Sequence, residues 1–138
     1  MDFDELFPLE VRNKRDSYIQ PLLQDQRQKL IDWIAALRSD QYKQVTGVLK
    51  NDNGYCCMGV MCDLLNPDGW GEHCQTYGGW AYGFTYKSDE DLEVPPEDVM
   101  EYYGIDPNLA ASFAALNDTH RLNFHQIADA IEWFFKLA

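Results

Sequence analysis

The sequence predicts a small single α+β domain, with several short helices packed on a small antiparallel sheet made of a hairpin and an aromatic strand. Three patterns carry that prediction. Leu30, Trp33, Ile34 and Leu37 recur at i, i+3, i+4 and i+7, which places them on one stripe of an amphipathic helix. Asn51, Asp52, Asn53 and Gly54 have the composition of a tight hairpin turn whose backbone visits positive φ. Trp80, Tyr82, Phe84 and Tyr86 alternate with Ala81, Gly83 and Thr85, the period of a strand with one bulky and one small face. A chain of 138 residues, 46% of them apolar, has the material for one core and needs no second domain.

Residues 1–22 carry Pro8 and Pro21 and an apolar cluster of Phe3, Leu6, Phe7, Leu9 and Val11 without a clean period. They read as an arm that packs on the domain, residues 23–138, or on a partner. A helix from Gln24 ends between Arg38 and Gln41, Val45 to Lys50 is a strand, and the turn returns into a second, short strand. From Tyr55 to Leu65, Cys57, Val60, Met61 and Leu64 form one helical stripe and Met58, Cys62 and Leu65 another, so this helix is apolar nearly all round and belongs in the core. Pro67 ends that region, and Trp70 to Gly79 reads as loop. Pro95 and Pro96 lead into a helix from Glu97 capped by Gly104. Asp106 and Pro107 open a further turn or two that Asn117 and Asp118 break. The last helix starts at Asn123 with Gln126 as its capping-box partner, and presents Phe124, Ile127, Ala128, Ile131 and Phe134 or Phe135 to the core.

Charge and cysteine usage bound the function. With 23 acidic against 11 basic side chains the net charge is -12, which repels nucleic acid and anionic membranes and suits a basic partner or plain solubility. No apolar run approaches the length of a membrane span, and Met1 to Glu5 is unlike the start of a signal peptide. Adjacent Cys56 and Cys57 cannot readily bridge each other, so the thiols are expected reduced, in a cytoplasm.

The candidate sites follow from these features. Cys56, Cys57, Cys62, Cys74 and His73 are ligand types for zinc, but adjacent cysteines on a helix diverge by about 100° and suit packing better than a tetrahedral ion, so no metal and no other cofactor is expected. A thiol activated by His73, His120 or His125 would make a Cys-dependent enzyme, yet apolar surroundings and an acidic chain raise a thiol pKa, and the expectation leans away from catalysis. Asp89, Glu90, Asp91, Glu93, Glu97, Asp98 and Glu101 crowd into one stretch and would form an acidic face able to occupy a basic groove on another protein. Trp70, Tyr77, Trp80, Tyr82 and Tyr86, interleaved with glycines, would line a pocket in which a planar, nucleotide-like molecule stacks; core packing explains the same rings.

Trp33, Ala36, Leu37, Arg38 and Ser39, the block from Tyr55 to Asp63, then Leu116, Asn117 and Asp118 with Phe124, Ile127, Ala128, Ile131 and Glu132, together resemble a family of small uncharacterised bacteriophage and prophage proteins. The Cys-Cys-x-Gly-x-x-Cys-Asp block is the most specific part of the likeness, which spans roughly residues 28 to 135; the longer arm and the segment from Trp70 to Tyr86 depart from it. The resemblance implies action inside an infected bacterial cell and transfers no catalytic residue. The function expected is that of a non-catalytic accessory protein, an acidic inhibitor or modulator of a host protein with a basic surface, with small-molecule sequestration by the aromatic segment as the alternative.

Overall fold

The structure, a computed structural model, describes residues 2–76, 79–85 and 93–137. In chain order a 3-10 turn (Phe3–Leu6) precedes α1 (Leu9–Asn13), α2 (Arg15–Ile19), α3 (Gln24–Arg38), β1 (Lys50–Asn51), β2 (Gly54–Tyr55) and α4 (Cys57–Leu65). A second 3-10 turn (Pro67–Gly69) leads to β3 (Trp70–Thr76), β4 (Gly79–Phe84), α5 (Glu97–Tyr103), α6 (Pro107–Asp118) and α7 (Phe124–Phe135). The class is α+β, and its strands form two separate antiparallel ribbons, β1–β2 and β3–β4.

Helix α4 is the hub. Cys57 through Cys62 are all buried, because every face of that segment is apolar and α3 and α6 cover it from two sides. Leu64 is the exception in the expected stripe, 39% exposed near the helix end. Cys56 caps the helix, its Sγ accepting from the Gly59 N–H at 3.4 Å, and the backbone N–H of Cys56 donates to the Leu49 carbonyl at 3.1 Å. Leu49 runs so close over the first turn that a β-carbon at residue 59 would sit 1.9 Å from its carbonyl oxygen, so only glycine fits. Helix α3 buries Leu30, Trp33, Ile34 and Leu37 as its spacing predicts, and the Trp33 indole N–H donates to the Cys57 carbonyl at 2.9 Å.

Of the segment expected as a strand at Val45 to Lys50, Lys50 alone lies in one, at the start of β1. Val45 donates to the Tyr55 carbonyl and Tyr55 to that of Lys43, a lone parallel bridge, after which Gly47 takes a φ of 83° and turns the chain away. Its pairing groups go to α6 instead: the Gly47 N–H donates to Asp118 Oδ1 at 3.1 Å, and buried Asn117 donates to the Val45 carbonyl and accepts from Gln44 Nε2, each at 2.8 Å. Asn117 and Asp118 therefore do not break α6, which runs three turns to Asp118 with both in its last turn. Of the four turn residues only Gly54 has positive φ, and a β-carbon there would lie 2.2 Å from the Lys43 carbonyl oxygen.

Residues 70–76, expected as loop, form β3, because they find a partner in the aromatic strand: Cys74 faces Ala81 and His73 faces Tyr82 across the ladder. The small face of β4 turns inward, with Ala81 and Gly83 buried, while Trp80 is 55% exposed; Phe84 then swings into the core.

The arm lies on α6 and α7. Phe7, 2% exposed, packs between the rings of Phe113, Trp133 and Phe134 at 4.9–6.0 Å. Arg15 donates from Nε to the Phe134 carbonyl at 2.7 Å and from a terminal nitrogen to that of Trp133, and its guanidinium stacks 3.9 Å from the Trp133 ring centroid. It thereby gives a donor to the Phe134 carbonyl and a second donor to that of Trp133, which the Lys136 N–H also reaches at 3.3 Å. Helix α7 begins with the expected Asn123–Gln126 capping box and buries Phe124, Ile127, Ala128, Ile131, Phe134 and Phe135.

Two substitutions test this arrangement. Gly59→Ala forces Leu49 off α4 and is expected to cost about 3 kcal/mol or more, read as a lowered urea midpoint. Asn117→Ala removes the donor to the Val45 carbonyl and leaves Gln44 only its bond to the Leu122 carbonyl, and should cost about 2–3 kcal/mol, with the segment 44–49 losing hydrogen-exchange protection.

Candidate functional site

The thiols define what the centre of the molecule is able to do. Cys56 and Cys57 are sealed from solvent, and burial pushes the Cys56 thiol up to about 12 and that of Cys57 well above its ordinary range; the nearby Asp118 charge works in the same direction. Cys57 Sγ lies 3.5 Å from the Phe113 carbonyl oxygen. A nucleophilic thiolate needs the opposite, exposure beside positive charge. Cys74 is partly exposed on β3, but successive strand residues point to opposite faces, so His73 next to it is turned away. His73 and His125 face carboxylates, Asp52 at 3.3 Å and Asp40 at 2.7 Å. Among the described residues no group of three or more His, Cys, Asp or Glu is arranged to hold a metal ion.

The two ribbons meet and build a polar-aromatic cluster. The β1–β2 hairpin packs on β4, and the ammonium of Lys50 comes 5.2 Å from the centroids of Tyr55 and Trp70 and 5.1 Å from that of Tyr82. Four strands each give one residue to this contact. The rings are held from behind. The Trp70 indole N–H donates to Asp63 Oδ1 at 3.0 Å, and the Tyr82 hydroxyl donates to Asp52 Oδ1 at 2.7 Å. Tyr55 stands edge-on between Tyr42 at 5.0 Å and Trp70 at 5.8 Å. Asp63 also accepts from the Tyr42 hydroxyl at 2.7 Å, and burial together with that bond raises the Tyr42 pKa. Outward of this cluster His73 lies between two rings, 4.8 Å from Tyr82 and 5.2 Å from Trp80.

The residues singled out from the sequence are thus divided. Trp70 and Tyr82 converge on Lys50, Trp80 sits apart on the wet edge with His73, and Tyr77 and Tyr86 lie outside the described residues. Among the described residues two clefts lie away from this cluster: one of about 410 Å3 between the arm and α6, another of about 450 Å3 between α2 and the turn joining α5 to α6. Of the acidic stretch, Asp89, Glu90 and Asp91 lie outside the described residues; Glu93, Glu97 and Glu101 are exposed and Asp98 is half-buried, its Oδ1 accepting from the Val99 N–H at 3.0 Å. Lys50, Asp52 and Tyr55 carry only structural expectations in the sequence, as strand end, turn and helix start, and none as part of a site. A two-residue hairpin turn makes Lys50 and Tyr55 cross-strand neighbours, a signal that was available; the docking of that hairpin on β4 was not.

The buried acids set a pH dependence. Thiols and phenols whose pKa is raised by folding are protonated in the fold while the unfolded chain begins to release its protons near pH 9 and 10, so stability is intact below that range and falls as pH rises toward about 12. The urea midpoint should be flat from about pH 6 to 8 and decline above about pH 9. In the native state at about pH 8, iodoacetamide should modify Cys74 and spare Cys56 and Cys57, which react once denaturant is added.

No helix among the described residues is long and apolar enough to cross a membrane. No curated protein and no solved structure matches the chain. Residues 25–135 match the family described as Domain of unknown function (DUF8296), and with most of its length inside that match the chain belongs to this family.

Proposed function

We propose that this chain is a phage-encoded accessory protein without catalytic activity, which acts in the cytoplasm of an infected bacterium by binding a host protein with a basic surface. The observation that carries the reading is the charge of -12 on a small domain, with Glu93, Glu97 and Glu101 exposed on and just before α5. Such a field steers a basic partner into encounter and discourages nucleic acid. The sealed thiols of Cys56 and Cys57 support the absence of catalysis, since the cysteines at the centre are spent on packing and helix capping.

A second reading has one observation in its favour. Trp80 is 55% exposed beside the half-stacked ring of His73, a platform suited to a planar ligand such as a nucleotide base.

Tagged protein should recover one stoichiometric basic protein from host lysate at about 50 mM salt and less of it at about 200 mM, because screening weakens surface electrostatics. The triple variant Glu97→Gln, Asp98→Asn, Glu101→Gln should lose most of that recovery. Absence of any such partner at both salts removes the first reading. A rise in melting temperature with a nucleotide, abolished by Trp80→Ala, would install the second.

A further inference from the structure

We propose that Tyr55, Trp70 and Tyr82 form a cation-recognition cage which Lys50 keeps filled, and that its ligand is an alkylammonium group on a basic protein. The proposal rests on the reading of the chain as a binder of a basic partner, and adds to it the place where one cationic side chain of that partner enters.

The geometry is that of a cage rather than a chance contact. Lys50 Nζ is within 5.1–5.2 Å of three ring centroids, close enough for each ring's negative face to attract it. Among the described residues no carboxylate forms an ion pair with Lys50, so the rings themselves hold the ammonium. The carboxylates nearby do a different job: Asp63 and Asp52 fix the Trp70 indole and the Tyr82 hydroxyl, which orients both rings before any ligand arrives. Rings held in place in the free protein lose little freedom on binding. Lys50 is half-buried, on a two-residue strand at the base of an exposed turn, and its flexible stem allows the head group to leave for water. The internal ammonium therefore reads as a stand-in that a more weakly hydrated cation displaces. An alkylated ammonium is such a cation, and the surrounding acidic field attracts it.

The probe is tetramethylammonium chloride, with sodium chloride at equal ionic strength as reference and the ring and indole N–H signals of Tyr55, Trp70 and Tyr82 followed by NMR. Lys50→Met keeps the apolar stem and empties the cage. It should bind the probe at least about 10-fold more tightly than the wild type, since a site occupied by its own lysine is only fractionally open. Tyr82→Leu or, separately, Trp70→Leu in the Lys50→Met background should abolish the response, and amide spectra report which of these variants is folded. Two results overturn the proposal: ring signals in Lys50→Met that move no more with the probe than with sodium chloride, or equal affinity with and without Lys50. Choline and a peptide carrying trimethyl-lysine form the last two arms. Tighter binding of the peptide is the expected result, and tighter binding of choline would overturn the assignment to a protein partner. Loss of the host partner in lysate leaves this titration intact, so the two readings fail separately.

Discussion

The carbonyl of Leu49 occupies the space where residue 59 would carry a β-carbon, and most of the fold follows from that single close approach. It seats the segment after the 43–45 bridge against the first turn of α4, lets Cys56 reach back to cap the helix, and brings the β1–β2 hairpin to a fixed position at the edge of the core. With α4 pinned at its N-terminus, its apolar faces are covered by α3 and α6, and the Trp33 indole bonded to the Cys57 carbonyl locks the first of these in register. The Cys-Cys-x-Gly-x-x-Cys-Asp block is thus explained residue by residue as architecture: a cap, a buried thiol, a point of backbone contact, a packed sulfur and a carboxylate. Burial also accounts for the thiols' reluctance to ionise, because a charge in that interior has no water to solvate it.

Asp63, the last residue of that block, carries the influence of α4 outward. Its carboxylate accepts from the Tyr42 hydroxyl and from the Trp70 indole, so the start of β3 and the chain after α3 are both tied to the hub through one side chain. Asp52 plays the matching part from the hairpin side by holding Tyr82 and facing His73. In a chain with so many carboxylates, these two are spent on orienting rings. The result is a surface patch whose aromatic members are rigid and whose central cation comes from the chain itself.

At the opposite side the arm completes the core. Phe7 enters a ring cluster that α6 and α7 leave open, and Arg15 covers the carbonyls at the end of α7. The family match begins at residue 25, so these contacts are made by chain that precedes the matched segment. Two clefts flank the arm where short helices meet α6 and the α5–α6 turn, as expected where elements of four or five residues pack without a regular interface.

What the sequence determined by itself was the set of elements whose signal is local. Helical stripes at Leu30 to Leu37 and Phe124 to Phe135, the Asn123–Gln126 box, the Gly104 cap and the burial of Cys57 to Cys62 all depend on spacing and capping within a dozen residues, and each stands in the structure. Tertiary structure decided the rest. Val45 to Leu49 has strand composition, but its hydrogen-bonding groups found better partners on Asn117 and Asp118, some seventy positions on. Residues 70–76 look like loop until the aromatic strand offers them a ladder, and Tyr55, Trp70, Tyr82 and Lys50 become neighbours only when two separate ribbons are pressed together by α4. Composition reveals rings and charges, whereas the distances between them depend on long-range packing that no local pattern encodes.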